Sequence, residues 1–359
     1  MGKEMSRTRK LMALILAIAA VLSLSGCASA EKKKAANYER YSGYIFDAFD
    51  TTTTILAYCA SPEEFEKLNQ EAEAELMRFH KLFDIYNSYS GITNLHDVNL
   101  KAGKEPVEVP QEIIDILKYA KEWNELTKGS MNVAFGSVLR IWHDIRDYNN
   151  TFPDDPVLPS RPDLEAASKH CRIDDLIIDE ENRTVFFADP ELQLDVGAVA
   201  KGYSVECVAK MLMSEGFNNL LINAGGNVRA VGSKITGEDW VVGVSNPDTS
   251  SAAEYVAKTA VSDKAVITSG VYQRFFMFDG KRYHHIIDRD SLEPEERFLS
   301  VTIITDDSGY GDALSTAVFN MDFDEGMEFV SLLENVEAMW ILPDGTQKYS
   351  SGFRDYLRD

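Results

Sequence analysis

Apolar residues return every three to four positions over two long stretches of the first half of the chain. Phe65, Leu68, Leu76, Phe79 and Phe83 follow Pro62, Glu63 and Glu64, and this spacing predicts a helix opened by the proline. Ile113, Ile114, Leu117 and Tyr119 follow Pro110 and predict a second helix, Gln111 to Leu126, which carries Trp123 and stops at Lys128-Gly129 as a glycine C-cap requires. Between them Asp84 to Asn99 is polar and irregular and holds Tyr86, Tyr89 and Ser90. Ahead of them Ile45 to Cys59, with Thr51 to Thr54 set between apolar residues, reads as a strand or strand pair. Ser130-Met131-Asn132-Val133 leads into a further helix through Trp142, and the prolines of Tyr148 to Pro162 mark a surface excursion.

Beyond the excursion the runs shorten. Leu176 to Ile178 and Thr184 to Phe187 predict a hairpin. Leu192, Leu194 and Val196 predict a strand that bends at Gly197 into a helix, with Val199, Val205, Val208 and Met211 on its buried face. Leu220 to Ile222 enters the turn Asn223-Ala224-Gly225-Gly226-Asn227, and strands follow around Val228 and Val241 to Val244. Phe275 to Phe278 and Arg282 to Ile287 flank Asp279-Gly280 as a second hairpin. Val301 to Ile304 is a strand, Asp312 to Phe319 and about Glu325 to Leu333 are helices, and Ala338 to Leu342 ends in the Asp344-Gly345 turn. Hairpins with interspersed helices predict an α+β fold with a mainly antiparallel sheet, not a doubly wound parallel one.

The two ends of the chain change this picture only at the start. Lys3, Arg7, Arg9 and Lys10 precede an apolar run from Leu11 to Leu22, and Leu24-Ser25-Gly26-Cys27 follows. That is a cleaved lipoprotein signal peptide, residues 1–26, whose lipobox cysteine is acylated; the apolar run is short of the roughly 20 residues a membrane span needs. Residues 27–40 are small, polar and charged, a flexible tether between lipid and a single domain over residues 41–359. The net charge of −22 moves to about −25 once the signal leaves, which argues against nucleic acid and against adhesion to anionic headgroups. A phosphate ligand then needs a metal ion or local lysines. Cys59, Cys171 and Cys207 are odd in number and widely spaced, so no disulfide framework follows.

Four segments of the second half bring together glycine, hydroxyl, carboxylate and imidazole: Leu194 to Glu206; Asn223 to Asn227; Thr268 to Gly270 with His284-His285; and Asp312 to Thr316. Singly, each has an ordinary reading. The glycine bend is a connection, though a helix start beside Lys201 also suits an anion. Asn-Ala-Gly-Gly-Asn is a turn. Asp312 and Thr316 share a helix face, as a cap and a surface threonine also would. Two adjacent histidines on a strand point to opposite faces.

In this order the segments resemble the ApbE-type FAD:protein FMN transferases, or flavin transferases. The family pattern D-x-G-x-x-A-K-G-Y, N-x-G-G-N, T-S-G, H-H-I-I-D and D-A-L-S-T is met at Asp195 to Tyr203, Asn223 to Asn227, Thr268 to Gly270, His284 to Asp288 and Asp312 to Thr316. Thr127 to Gly129 and Tyr86 near Ser90 fit earlier family blocks, so the resemblance spans nearly all of the chain after the tether. It implies an ApbE-like, T-fold-like architecture and Mg2+-dependent transfer of FMN from FAD to a threonine or serine hydroxyl of an extracytoplasmic acceptor protein, with release of AMP. Membrane attachment through the lipid on Cys27 fits that setting.

By motif position the resemblance implies Asp312, Thr316 and the carbonyl of Ala200 as Mg2+ ligands, an oxygen set that suits this ion. It implies His285 as the base. Tyr86 and Phe49 are the aromatics expected against the flavin, with Ser130, Met131 and Asn132 at the loop that touches FAD and Gly197, Tyr203, Gly225 and Gly226 along the nucleotide. Four positions depart from the family: Glu206 for its aspartate, Met131-Asn132 for its Phe-Asp pair, Arg289 for its proline, and Gly91 where many members have glutamate. These leave two other readings, an FAD pyrophosphatase giving FMN and AMP, and a non-catalytic FAD-binding lipoprotein.

Overall fold

A computed structural model describes residues 37–358; the predicted signal peptide, Cys27 and most of the predicted tether lie outside the described residues. No described helix is long and apolar enough to cross a membrane. Ordered pairing begins at Glu39, slightly ahead of the expected domain start at Tyr41, because the β1 register runs from Glu39 opposite Cys59 to Ile45 opposite Thr53.

The strands are β1 (Glu39–Ile45), β2 (Thr53–Cys59), β3 (Val107–Glu108), β4 (Leu176–Asp179), β5 (Thr184–Phe187), β6 (Leu220–Ala224), β7 (Asn227–Val231), β8 (Trp240–Ser245), β9 (Tyr255–Val261), β10 (Ala265–Gly270), β11 (Phe275–Phe278), β12 (Lys281–His284), β13 (Ser300–Thr305), β14 (Glu337–Ile341), β15 (Gln347–Tyr349) and β16 (Leu357–Arg358). The helices are α1 (Pro62–Phe83), α2 (Leu95–Lys101), α3 (Gln111–Leu126), α4 (Gly136–Thr151), α5 (Arg161–Ala167), α6 (Ala200–Ser214), α7 (Ser308–Phe319) and α8 (Phe323–Ser331).

One antiparallel sheet of eight strands, in the order β1-β2-β6-β7-β10-β13-β14-β15, forms the middle layer. Its strands are apolar on both faces, and period-two alternation sends neighbours to opposite sides. Leu220, Ile222 and Ala224 pack with α1 and α6 residues such as Leu68, Leu76, Val205 and Val208. Leu221 faces the other way, with Val228, Trp240, Met339 and Phe353, under the small sheet β16-β9-β8. Each such fully buried aliphatic or aromatic side chain contributes about 1.5–3 kcal/mol. A second core joins α3, the β3-β5-β4 sheet and α7, and Trp142 of α4 stacks on Phe276 and Tyr283 of the β11–β12 hairpin.

The helix over Gln111–Leu126 and the hairpin β4–β5 stand where the residue pattern puts them. The Leu192–Val196 segment does not form the expected strand. Its backbone pairs with a side chain instead of a ladder: Leu194 donates to Asn99 Oδ1 at 2.8 Å and accepts from Asn99 Nδ2 at 3.0 Å, and Asp195 N–H donates to Val133 O at 2.8 Å. The helix after it starts at Ala200, once Val196 O has accepted from Val199 and Ala200.

Candidate active site

The helix face of the sheet, the loops after β1 and α1, the loop after α3, the start of α6 and the outer face of α7 enclose a cavity of about 810 Å³. It is far larger than an ion needs and matches the range of pockets that bury a nucleotide-sized or drug-sized molecule. Cations and carboxylates share its wall, among them Lys201, Arg274, Arg289, Arg297, Asp195 and Asp312.

Its inner end is made by the crossing of α6 and α7, and Gly202 sets that crossing. A Cβ on Gly202 would lie 2.3 Å from Ser308 O and 2.5 Å from Asp312 Cβ, so only glycine lets the helices approach this closely. Gly202 N–H donates to Asp312 Oδ2 at 2.7 Å, and Lys201 Nζ stands 3.8 Å from Asp312 Oδ1. The N-terminus of α6 has no side-chain cap of its own at Val199. Asp312 therefore supplies the anion that the helix start and Lys201 attract. Burial pushes the Lys201 ammonium below its ordinary range, against the pull of Asp312 and with Arg274 adding to the shift. Thr316, one turn on from Asp312, and Ala200 also line the cavity. The Ala200 carbonyl, in the first turn of α6, accepts from Ser204 Oγ at 2.6 Å. Among the described residues no group of three or more His, Cys, Asp or Glu clusters as a metal centre. The convergent donors here are mixed oxygens.

His284 and His285 divide as adjacent strand residues should. His284 is buried; its Nε2 donates to Glu295 O at 2.7 Å and its Nδ1 accepts from Ile286 N–H at 3.2 Å. Burial pushes its pKa down to about 4, so it is a neutral structural group. His285 lines the cavity and its Nδ1 donates to Arg274 O at 3.3 Å. A carbonyl only accepts, so Nε2 of the neutral ring carries the free lone pair. Burial holds His285 well below the usual histidine range, with Arg274 and His284 adding to the shift. Arg274 also donates to Phe49 O at 3.2 Å. Phe49 is left-handed at φ 56°, between Asp47 at 69° and Asp50 at 54°; backbone strain of this kind, about 1–3 kcal/mol per residue, gathers at ligand sites.

The loop after α1 is organised by Asp84, which accepts from Tyr86 N–H at 2.7 Å, Asn87 N–H at 3.1 Å and Tyr89 hydroxyl at 2.7 Å. Burial opposes ionisation of Asp84, and these donors outweigh it and lower its pKa. The loop carries Tyr86 into the wall. Phe49, Tyr86, Ser130, Met131, Asn132, Gly197, Ala200, Gly225, His285, Asp312 and Thr316 all line the cavity. Tyr203 and Gly226 do not. Tyr203 turns into an aromatic cluster with Phe79, Phe83 and Tyr119, because its position on α6 faces α1 and α3. Gly225 and Gly226 form the two-residue β6–β7 turn, both at positive φ, and only the first reaches the wall.

The departures from the family pattern acquire physical meanings. Glu206 lies away from the cavity, buried in an ion pair with Arg229 at 3.0 Å and accepting from Ser308 N–H at 2.8 Å, so it fastens α6 to β7 and α7. Asn132 is a cap: its Oδ1 accepts from Ala134 N–H and its Nδ2 donates to Cys171 O, both at 2.9 Å. Arg289 reaches back to donate to Lys128 O, beside Gly129. Residue pattern had no means of finding Arg274 or His143 as site residues, since their partners are remote in sequence; His143 is visible only as one polar position on α4, and Gly202 stood in a site block without its role at the helix crossing.

Fold and wall together define an α+β protein with an oxygen-rich, histidine-bearing cavity of nucleotide size at a helix crossing. The ApbE family model matches residues 49–340. The chain is 30% identical over 280 residues to an FAD:protein FMN transferase of Klebsiella pneumoniae, covering 77% of this chain and 84% of that protein. The crystal structure of the ApbE protein from Thermotoga maritima superposes with a TM-score of 0.79 at 28% identity, over 89% of this chain and all of that one. The flavin transferase ApbE from Vibrio cholerae gives 0.73 at 26% identity, over 89% of this chain and 99% of its own. This chain belongs to the ApbE family.

Proposed function

We propose that the chain is an FAD:protein FMN transferase that binds FAD as substrate in the cavity and moves its FMN portion onto a threonine or serine hydroxyl of an extracytoplasmic acceptor protein, releasing AMP. The observation that carries this is the presence, in one cavity of an ApbE fold, of a neutral His285 and of Asp312 held by Gly202 beside Lys201.

His285 Nε2 takes the proton from the acceptor hydroxyl, whose oxygen attacks the phosphorus of the FMN portion. One O–P bond forms, the diphosphate P–O bond to AMP breaks, and AMP leaves with the bonding electrons. Arg274 fixes the tautomer through its carbonyl, and its guanidinium holds the Phe49 loop that borders the same space. Asp312, Thr316 and the Ala200 carbonyl are all hard oxygen donors and fit Mg2+, which when bound would neutralise charge on the diphosphate. Lys201 adds positive charge at the same end. The lipobox at Cys27 supports extracytoplasmic attachment of this catalytic domain to a bacterial membrane through its lipid.

The test is incubation of the chain with FAD, Mg2+ and a fragment of a secreted redox protein that carries an acceptor threonine. Covalent, in-gel fluorescent flavin on the fragment, lost in Asp312→Ala and in His285→Asn, is expected. AMP release without labelled fragment would point to the pyrophosphatase, and FAD binding without AMP release would point to a carrier.

A further inference from the structure

Tyr86 is unusual among the cavity aromatics because it is 43% exposed and borders two spaces at once. It lines the main cavity and also an outer pocket of about 440 Å³, which Arg146, Asp147 and Asn150 of α4 complete. A phenol so exposed has few packing contacts to fix its ring. What fixes it is one polar contact: its hydroxyl is hydrogen-bonded to His143 Nδ1, from the α4 turn that follows Trp142. The His143 side chain is only 15% exposed, and Nδ1 lies 3.9 Å from Asp195 Oδ2. Asp195 is itself fixed, since its Oδ1 accepts from Gly197 N–H at 2.8 Å and its backbone N–H is bound to Val133. Arg140 lies over the Tyr86 ring at 5.9 Å, one turn before His143 on the same helix.

We propose that His143 is a positioning residue, which holds the Tyr86 phenol so that its ring stands as a fixed wall between the two spaces and sets where the flavin ring of FAD packs. This rests on the reading that the cavity binds FAD. In this arrangement the neutral Tyr86 phenol donates, His143 Nδ1 accepts, and the ring proton sits on Nε2. Burial also keeps His143 below its ordinary pKa, with Arg146 and Arg274 adding to the effect against Asp195, so the acceptor nitrogen stays available at neutral pH. Trp142, stacked on the β11–β12 hairpin and donating to Leu292 O at 3.0 Å, makes the backbone beneath His143 rigid.

FAD affinity of the full chain, read by quenching of flavin fluorescence, tests this in Tyr86→Phe, His143→Ala, the double variant and His143→Gln. Removing one end of a single hydrogen bond should weaken FAD about three- to tenfold. The double variant should be no worse than either single one, and His143→Gln, whose amide oxygen accepts from the phenol, should recover part of the loss. In turnover, KM for FAD should rise while kcat holds. Multiplying losses in the double variant, or no loss in His143→Ala, overturns the proposal. Nitration of Tyr86 by tetranitromethane without FAD gives a second reading: His143→Ala should speed it several-fold, and an unchanged rate overturns the anchor. Were the wild-type chain to bind no FAD, the functional reading would fail while the nitration rates still decided whether His143 holds Tyr86.

Discussion

Gly202→Ala is the smallest change that should disturb both the fold and the site. In an ordinary helix interior the substitution is stabilising by about 1 kcal/mol, since alanine costs less backbone entropy. Here the new methyl would lie 2.3 Å from Ser308 O and 2.5 Å from Asp312 Cβ, neither of them the movable end of a flexible side chain. A comfortable C···O separation is about 3.3 Å, so α6 and α7 must part by about 1 Å. Overpacking of that kind costs about 1–3 kcal/mol, which cancels the propensity gain or exceeds it. The net loss, up to about 2 kcal/mol, should lower Tm by up to roughly 3 °C in a domain of this size. Parting the helices also lengthens the 2.7 Å bond from Gly202 N–H to Asp312. Loss of such support for a metal-binding carboxylate typically weakens the ion about 10- to 100-fold. Thermal melts and AMP release against Mg2+ concentration measure the two effects. A variant as stable as wild type, or more so, with an unchanged Mg2+ requirement would refute the reasoning.

Three further outcomes follow from buried groups. Glu206→Ala leaves Arg229 with only the exposed Asp263 at 3.1 Å as a carboxylate partner, and should cost about 3 kcal/mol in urea unfolding without touching the cavity wall; a loss under 1 kcal/mol would mean that the pair is not an anchor. His284 has a pKa of about 4 in the fold and about 6.5 unfolded, so between those values the unfolded chain binds more protons and stability falls as pH falls. It should contribute a loss of about 2 kcal/mol between pH 7 and pH 5; urea midpoints should show a shallower pH slope in His284→Gln, and an equal slope contradicts the assignment. His285→Asn should keep FAD affinity within about threefold and lose about 100-fold or more in transfer. Because the base must be unprotonated and its pKa is lowered, the acid limb of the rate profile should lie below pH 6.5; a limb at the ordinary histidine value would contradict a neutral His285 in the cavity wall.

Much of this architecture was legible in local pattern. Helix periodicity with a proline start and a glycine stop placed α3 residue for residue, and a proline start with the same periodicity placed α1, because propensity, capping and burial agree there. The ordered glycine, histidine and carboxylate blocks brought most of the predicted wall residues into one cavity. What stayed illegible depends on partners distant in sequence. Leu192 to Val196 alternates like a strand, yet its hydrogen bonds go to the Asn99 side chain. Tyr203 follows a site lysine and glycine, but a helix turns about 100° per residue and carries it into the core. β9 and the start of β10 have weak alternation and were set by pairing with β8, β7 and β13. Glu206 reads as a site departure until Arg229, on β7, is seen beside it.

The most direct test of the central claim is mass spectrometry of the acceptor fragment together with quantification of AMP, after incubation with the chain, FAD and Mg2+. The account predicts one FMN attached through a phosphoester to a single threonine or serine, and one AMP released per FMN attached. AMP in large excess over attached flavin, or attachment of intact FAD, would contradict it.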